Sequence, residues 1–116
     1  MEQFSKNCIF CKIIRHDIHA DIVYEDNDFF CIKDINPKAP VHLLIIPKKH
    51  IATLNDIDED DFLVMTGFFK IPKLLAKQFN LAGYRTVINV NPEGGQEVYH
   101  LHMHVLGGRQ MKGDLG

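Results

Sequence analysis

No stretch of this 116-residue sequence is apolar enough for long enough to cross a bilayer. The leading segment, Met1-Glu2-Gln3-Phe4-Ser5-Lys6, has no apolar core of the kind an export signal needs. Charge of one sign is missing too: 13 basic and 15 acidic side chains leave a formal charge of −2. No general attraction to nucleic acid or to an acidic membrane is therefore expected. The largest basic groups, Lys48-Lys49 and Lys70 with Lys73 and Lys77, are small enough to be solvated faces. Cysteine is scarce and odd in number, three in all, which argues against a disulfide scaffold. It points to a reduced, cytoplasmic setting (or a nuclear one in a eukaryotic cell) with thiols available to a metal. Low-complexity segments, internal repeats and long linkers are absent. What is present is one domain's worth of chain, residues 1–116, with 46% hydrophobic residues. A chain of this length buries roughly two thirds of its unfolded surface, enough to fold without cross-links.

The hydrophobic pattern predicts an α+β fold. Cys8–Arg15 is a short helical or irregular entry segment. Strands are expected at Ile22–Glu25 and Phe29–Lys33, joined by the polar turn Asp26-Asn27-Asp28. Further strands are expected at Leu43–Ile46, Tyr84–Asn89 and His100–Leu106, giving a five-stranded, mostly antiparallel sheet. One long helix separates the third strand from the fourth. Asp56 with Glu59 three residues later suits its start, and Asp58, Asp60 and Asp61 suit the positive end of its dipole. Two apolar stripes run along it, Phe62, Met65, Phe69, Pro72, Ala76 and Phe79 beside Val64, Phe68, Ile71 and Leu75. That arc is wider than one sheet face needs, which predicts a homodimer with this helix at the interface. Pro72 lacks an N–H for the ladder and is expected to kink or divide the helix.

The most informative feature lies near the end of the chain. His100, His102 and His104 alternate with Leu101, Met103 and Val105. Alternation is the period of a strand, so three imidazoles share one face at intervals of about 6.6 Å while the apolar residues enter a core. Surface strands favour threonine, lysine and glutamate, so three consecutive histidines on one face mark a functional site. Two chemistries suit it. Three neutral imidazoles can hold a catalytic zinc with an open position for water. Alternatively, one imidazole acts as nucleophile while its neighbours orient it and hold an anion. Upstream, Asn91-Pro92-Glu93-Gly94-Gly95-Gln96-Glu97 combines a preset turn with a Gly-Gly pair whose N–H groups can approach a ligand closely. Beside the histidines it reads as a phosphate cradle, which favours the nucleophile.

The run His100-Leu101-His102-Met103-His104-Val105-Leu106 resembles, at every position, the alternating pattern of the histidine triad (HIT) superfamily. The likeness continues through Asp34-Ile35-Asn36-Pro37-Lys38-Ala39-Pro40, Ile46-Pro47-Lys48-Lys49-His50, Gly83-Tyr84-Arg85 and Gly94-Gly95-Gln96-Glu97-Val98-Tyr99. With Leu106-Gly107-Gly108-Arg109-Gln110-Met111 it spans about Cys8 to Met111 and is most similar to the Hint branch, the histidine triad nucleotide-binding proteins. The resemblance implies a HIT-like fold, a purine nucleotide ligand (AMP, GMP or a phosphoramidate conjugate) and no organic cofactor. It makes His102 the nucleophile of a covalent nucleotidyl-histidine, with His104 on a phosphoryl oxygen or supplying a proton. His100 completes the triad, and His42, which alone reads as a strand-edge residue, becomes a fourth histidine of the site. Backbone N–H groups near Gly95, Gln96, Glu97 and Val98 would hold phosphate. Asp34, otherwise an ordinary turn-initiating aspartate, would accept both ribose hydroxyls, and Asn89 would make a further polar contact. Ile9, Phe10, Ile13, Ile32 and Ile35 fall on base-pocket positions, although each could equally be core.

Glu97 departs from the serine common in that branch, which puts the leaving-group preference in question. The last residues, Lys112-Gly113-Asp114-Leu115-Gly116, stop short of longer relatives, which use this region near the dimer interface and the active site. Cys8-Ile9-Phe10-Cys11 offers one edge of a tetrahedral zinc site. By resemblance His50 and His100 complete a closed structural site, though that metal is not obligatory in the branch. Cys31 is left as a buried strand residue, and His16 and His19 as surface residues. The activity implied is hydrolysis of P–N bonds in purine nucleoside 5′-phosphoramidates. The alternatives are an AMP-binding adaptor with vestigial catalysis, a dinucleoside polyphosphate hydrolase and a three-histidine zinc hydrolase.

Overall fold

The computed structural model describes residues 7–116; the first six residues of the expected domain lie outside it. Five strands form one sheet: β1 (Ile22–Glu25), β2 (Phe29–Lys33), β3 (Val41–Pro47), β4 (Tyr84–Val87) and β5 (Met103–Gly107). Their spatial order is β1-β2-β3-β5-β4, and every neighbouring pair is antiparallel. Local chemistry sets the first hairpin. The Asp26 carboxylate accepts from the N–H groups of Asp28 at 2.8 Å and Phe29 at 2.7 Å, closing the turn where β2 begins.

Alternation then divides the sheet into two working faces. Phe29, Cys31, Leu43, Ile45, Met103 and Val105 point one way, against Met65, Phe68, Ile71 and Leu75 of the long helical segment. Phe30, Ile32, Leu44 and Ile46 point the other way, against Cys8, Phe10, Cys11 and Ile13. Three of those four residues lie in the short helix α1 (Ile9–Ile14), with Cys8 as its N-cap. Only six residues long, α1 is too short to be stable alone and depends on this packing. It covers half of the second face and leaves the β4–β5 side as the wall of a cleft.

The long helical segment covers 20 residues, and its entry differs from expectation. Asp56 ends a separate 3-10 turn, Leu54–Asp56, where its carboxylate accepts from the Thr53 N–H at 3.1 Å. The start falls two residues later, where the Asp61 carboxylate accepts from the Asp58 N–H at 3.1 Å and from Lys49 Nζ at 2.6 Å. A 3-10 turn, Glu59–Asp61, leads into α2 (Phe62–Met65) and then α3 (Gly67–Gln78). Pro72 sits inside α3 without dividing it, its ring buried in the core. The interruption is at Thr66, whose hydroxyl donates to Leu63 O at 2.7 Å and competes for the ladder there.

The bounds of three strands also shift, with β5 ending one residue later, at Gly107. β3 gains Val41, His42 and Pro47; β4 ends at Val87, so Ile88 and Asn89 leave the sheet. β5 starts at Met103, because the preceding residues bond elsewhere: Leu101 N–H to Ile51 O at 2.7 Å and the His100 ring to Pro47 O at 2.7 Å. The alternation nevertheless persists through Leu101, which lies in the core.

Gly67 is required by packing. A Cβ there would lie 2.4 Å from Phe29 Cε2, on a ring stacked edge-on against Phe68 in a filled core. Gly67→Ala is expected to lower unfolding stability by about 1–3 kcal/mol through overpacking, despite alanine's better helix propensity. Urea unfolding tests this, and an unchanged or raised midpoint would show that Phe29 moves aside freely.

Candidate active site

β3 and β5 run side by side at the centre of the sheet, with Leu44 opposite His104 and His42 opposite Leu106. His42 and His104 are therefore diagonal neighbours on the cleft face, and His42 Nε2 lies 2.9 Å from His104 Nδ1. The bonds around them fix where the protons are. The Lys38 backbone N–H donates to His42 Nδ1 at 3.0 Å, so a neutral His42 carries its proton on Nε2 and donates it to His104 Nδ1. His104 must then carry its own proton on Nε2, as a hydrogen-bond donor on a ring that lines the cleft. Asp34 Oδ2 lies 3.4 Å from His42 Nε2, while Asp34 Oδ1 accepts from the Asn36 N–H at 2.8 Å.

His102 has the complementary polarity. Its Nδ1–H donates to the His100 carbonyl at 2.7 Å, which leaves Nε2 with a free lone pair. Burial holds the ring below the usual histidine range, with the bond to His100 opposing. It stays neutral at pH 7, as a nucleophile must. Phe10 packs edge-on against it at 5.2 Å, and the His104 ring stands 5.0 Å away.

These groups share one cleft of about 710 Å³, lined among others by Phe10, Asp34, His42, Asn89, Gly95, Glu97, Val98, His102 and His104. Gly95 adopts a left-handed backbone, φ 79°, and Asn89 Nδ2 donates to Gly94 O at 2.7 Å, bracing the loop. The N–H groups of Glu97 and Val98 find no acceptor among the described residues, whereas the Gln96 N–H is committed to Asn91 O at 3.1 Å. Gln96 itself is a buried strut, donating to Ala52 O at 2.9 Å and Val98 O at 3.1 Å.

Other expected residues are not gathered there. Ile13 and Ile32 belong to the core under α1. Ile9 and Ile35 are exposed and outside the cleft lining, Ile35 at 90%, because the chain turns outward after Asp34. Residues the sequence reading had not assigned also line it: Leu44, Val87 and Leu106 as apolar floor, Arg85 on β4, and Asp114 to Gly116. Arg85 holds the tail in place through Asp114 O at 3.1 Å and Lys112 O. Its position was readable, since alternation along Tyr84–Val87 puts Arg85 and Val87 on one face.

His100 is turned away from the cleft. Its ring is fully buried beside Cys8, Cys11 and His50, and these four ligand atoms all lie within 4.8 Å of one another. His100 Nδ1 is 3.2 Å from Cys8 Sγ, 3.6 Å from Cys11 Sγ and 3.2 Å from His50 Nδ1; Cys11 Sγ is 3.3 Å from His50 Nδ1. A zinc tetrahedron with bonds of about 2.0–2.3 Å has edges of about 3.3–3.8 Å, so the donor set fits that ion. The His100 Nε2–H donates to Pro47 O, which frees Nδ1 as a ligand. Burial pushes the Cys8 thiol up to about 11 and the His100 imidazole down to about 4. A dication would supply the charge that such buried thiols need to ionise.

A second grouping, Asp34, His42 and His104, fits a metal poorly. The Lys38 N–H already occupies His42 Nδ1, so a metal on Nε2 would require an imidazolate. Nor do the three triad rings converge on one point, since His100 belongs to the cysteine cluster. The three-imidazole zinc hydrolase is thereby ruled out by geometry.

Burial, with the neighbouring His102 and His42, lowers His104 to about 4 from an ordinary value of 6.5. The unfolded chain therefore binds this proton first as pH falls, and stability is lost from pH 6.5 down to about 4. Between pH 7 and 5 this costs about 1–2 kcal/mol. The loss should be smaller in His104→Gln, measured by denaturant unfolding at both pH values; equal losses would assign the acid sensitivity elsewhere.

Residues 15–111 match the HIT domain. An uncharacterized HIT-like protein of Chlamydia trachomatis is 54% identical over 101 residues, 86% of this chain and 91% of that protein. The purine nucleoside phosphoramidase of Escherichia coli K12 is 44% identical over 109 residues, 92% of each chain. A crystal structure of a HIT family hydrolase from Legionella pneumophila superposes with a TM-score of 0.91 at 53% identity, covering 95% of this chain and all of that one. A five-stranded antiparallel sheet with a histidine-lined cleft over β3 and β5, in a chain this similar to HIT family hydrolases, makes this a HIT-type hydrolase. This chain belongs to the HIT family.

Proposed function

We propose that this chain hydrolyses the P–N bond of purine nucleoside 5′-phosphoramidates, AMP–amine conjugates among them, through His102. The observation that carries this reading is the 2.7 Å bond from His102 Nδ1–H to the His100 carbonyl, in a cleft shared with a donating His104. His102 Nε2 attacks the α-phosphorus, a P–Nε2 bond forms and the P–N bond to the amine breaks. The departing nitrogen takes one proton from water at the open mouth of the cleft. Water then attacks the nucleotidyl-histidine, releases one proton and frees AMP, returning His102 to its starting tautomer. The His104 Nε2–H bonds a phosphoryl oxygen as charge builds, together with the N–H groups of Glu97 and Val98. Asp34 Oδ2 accepts from the ribose hydroxyls, and Phe10 packs on the base. The E. coli relative's name supports the same substrate class.

Zinc on Cys8, Cys11, His50 and His100 plays a structural part in this reading: four protein ligands leave no position for substrate. The chain works as a homodimer, supported by Phe62, Leu63, Phe69 and Leu74, which leave 49–87% of their surface exposed along α2 and α3. The sheet also ends at β4, an edge that a second copy can meet. A cytoplasmic location is supported by three cysteines, none of them in a disulfide; among the described residues, no helix is long and apolar enough to cross a membrane. The test is AMP release from an AMP–amine conjugate by the purified chain. Release with a trapped nucleotidyl-His102 supports the reading; AMP binding with every conjugate left intact overturns it.

A further inference from the structure

The zinc-type cluster and the nucleotide cleft are separate sites, yet two residues belong to both. His100 gives its ring to the cluster, and its backbone carbonyl accepts the His102 Nδ1–H at 2.7 Å. Phe10 stands between Cys8 and Cys11, lines the cleft, and packs edge-on against His100 at 5.7 Å and His102 at 5.2 Å.

We propose that His100 and Phe10 are positioning residues that couple the Cys8/Cys11/His50/His100 cluster to the nucleotide cleft, so that metal and nucleotide each tighten the other's binding. The inference rests on the zinc and nucleotide readings given above. Its physical basis is a shortage of other restraints. α1 has six residues and is held to the sheet by a small cluster, Phe10, Cys11 and Ile13 with Cys8 before them and Ile14 beside them. His100 and His102 precede β5, where the bond from Leu101 N–H to Ile51 O stands in place of the strand ladder. A metal joining Cys8 and Cys11 to His50 and His100 would lock both segments at once. The Phe10 ring would then be fixed as a cleft wall, and the His100 carbonyl as the acceptor that sets the His102 tautomer. Without the metal, both must be ordered by the nucleotide at the expense of its affinity.

Coupling of this kind is reciprocal, which gives a readout independent of turnover. Zinc affinity of the full chain is measured by chelator competition with and without saturating AMP. AMP is expected to tighten zinc binding by about fivefold or more, and Phe10→Leu, which keeps an apolar residue at that place, to reduce the effect to below about twofold. A second measurement needs no variant. The ¹⁵N shifts of His102 should report one Nδ1–H tautomer in the zinc-loaded protein and a mixture after chelation. If zinc and AMP both bind but ignore each other, and the His102 tautomer does not respond to chelation, the coupling is wrong and the nucleotide reading stands. If the cluster takes up no zinc, the coupling fails for that reason; if AMP does not bind, the proposed function fails with it.

Discussion

His102→Ala releases AMP from an AMP–amine conjugate at least about 10³-fold more slowly than the wild-type chain, with AMP affinity changed no more than a few fold. A loss of that size follows when a covalent nucleophile has no substitute. The three histidines closest to it in the fold are each committed. His100 Nδ1 faces the cysteine cluster and its Nε2–H bonds Pro47 O. His42 Nδ1 accepts from the Lys38 N–H, and its Nε2 donates to His104 Nδ1. His104 therefore presents a proton on its cleft-side nitrogen, where an attacking group needs a lone pair. The binding contacts survive the substitution, because Asp34, Phe10 and the N–H groups of Glu97 and Val98 are untouched. Steady-state kinetics, with AMP affinity measured separately, checks both halves. Equal turnover by wild type and variant would remove His102 from the chemistry, and a collapse of AMP affinity would recast it as a binding residue.

The site was legible where its chemistry is local in sequence and obscure where the fold assembles it. Three alternating histidines beside a Gly-Gly loop announce themselves, and β1 and β2 were readable to the residue because the Asp26 turn separates two short patterned runs. The long helix was expected in the right place with the wrong start. Thr53 and Asp56, Asp56 and Glu59, and Asp58 and Asp61 all have the three-residue spacing of a capping box. Only tertiary contacts, such as Lys49 Nζ on Asp61, choose among them. His42 is one residue in an apolar run, and nothing local marks it. Its role comes from the β3–β5 register, which brings together residues 62 positions apart. Ile35 was expected in a base pocket, and the turn after Asp34 leaves it 90% exposed. The contact between Arg85 and the tail was not legible, because it depends on where the last residues return.

On the reading that Cys8, Cys11, His50 and His100 hold zinc, removing it is the second large effect to expect. At zinc concentrations about a thousandfold above its dissociation constant, binding adds about 4 kcal/mol to folding. Chelation should then lower the melting temperature on the order of 10 °C in a chain of this size. Cys11→Ala should reproduce that drop, contain no zinc and be indifferent to chelator. Its sulfur is fully buried, 3.3 Å from His50 Nδ1 and 3.6 Å from His100 Nδ1, and no neighbouring group can replace it. Cys31→Ala provides the contrast. That thiol is equally buried but lies on the opposite face of the sheet among Phe29, Leu43 and Ile45, and burial pushes it up to about 12. Losing it leaves a small cavity, on the order of 1 kcal/mol, and should leave zinc content unchanged. Metal analysis beside thermal unfolding separates the two variants. Were wild type and Cys11→Ala to hold the same zinc and melt together, the four side chains would be packed against one another as thiols and imidazoles alone. The hold of α1 on the sheet would then rest on the apolar packing of Cys8, Phe10, Cys11, Ile13 and Ile14, a small contact for a helix that forms one wall of the active site.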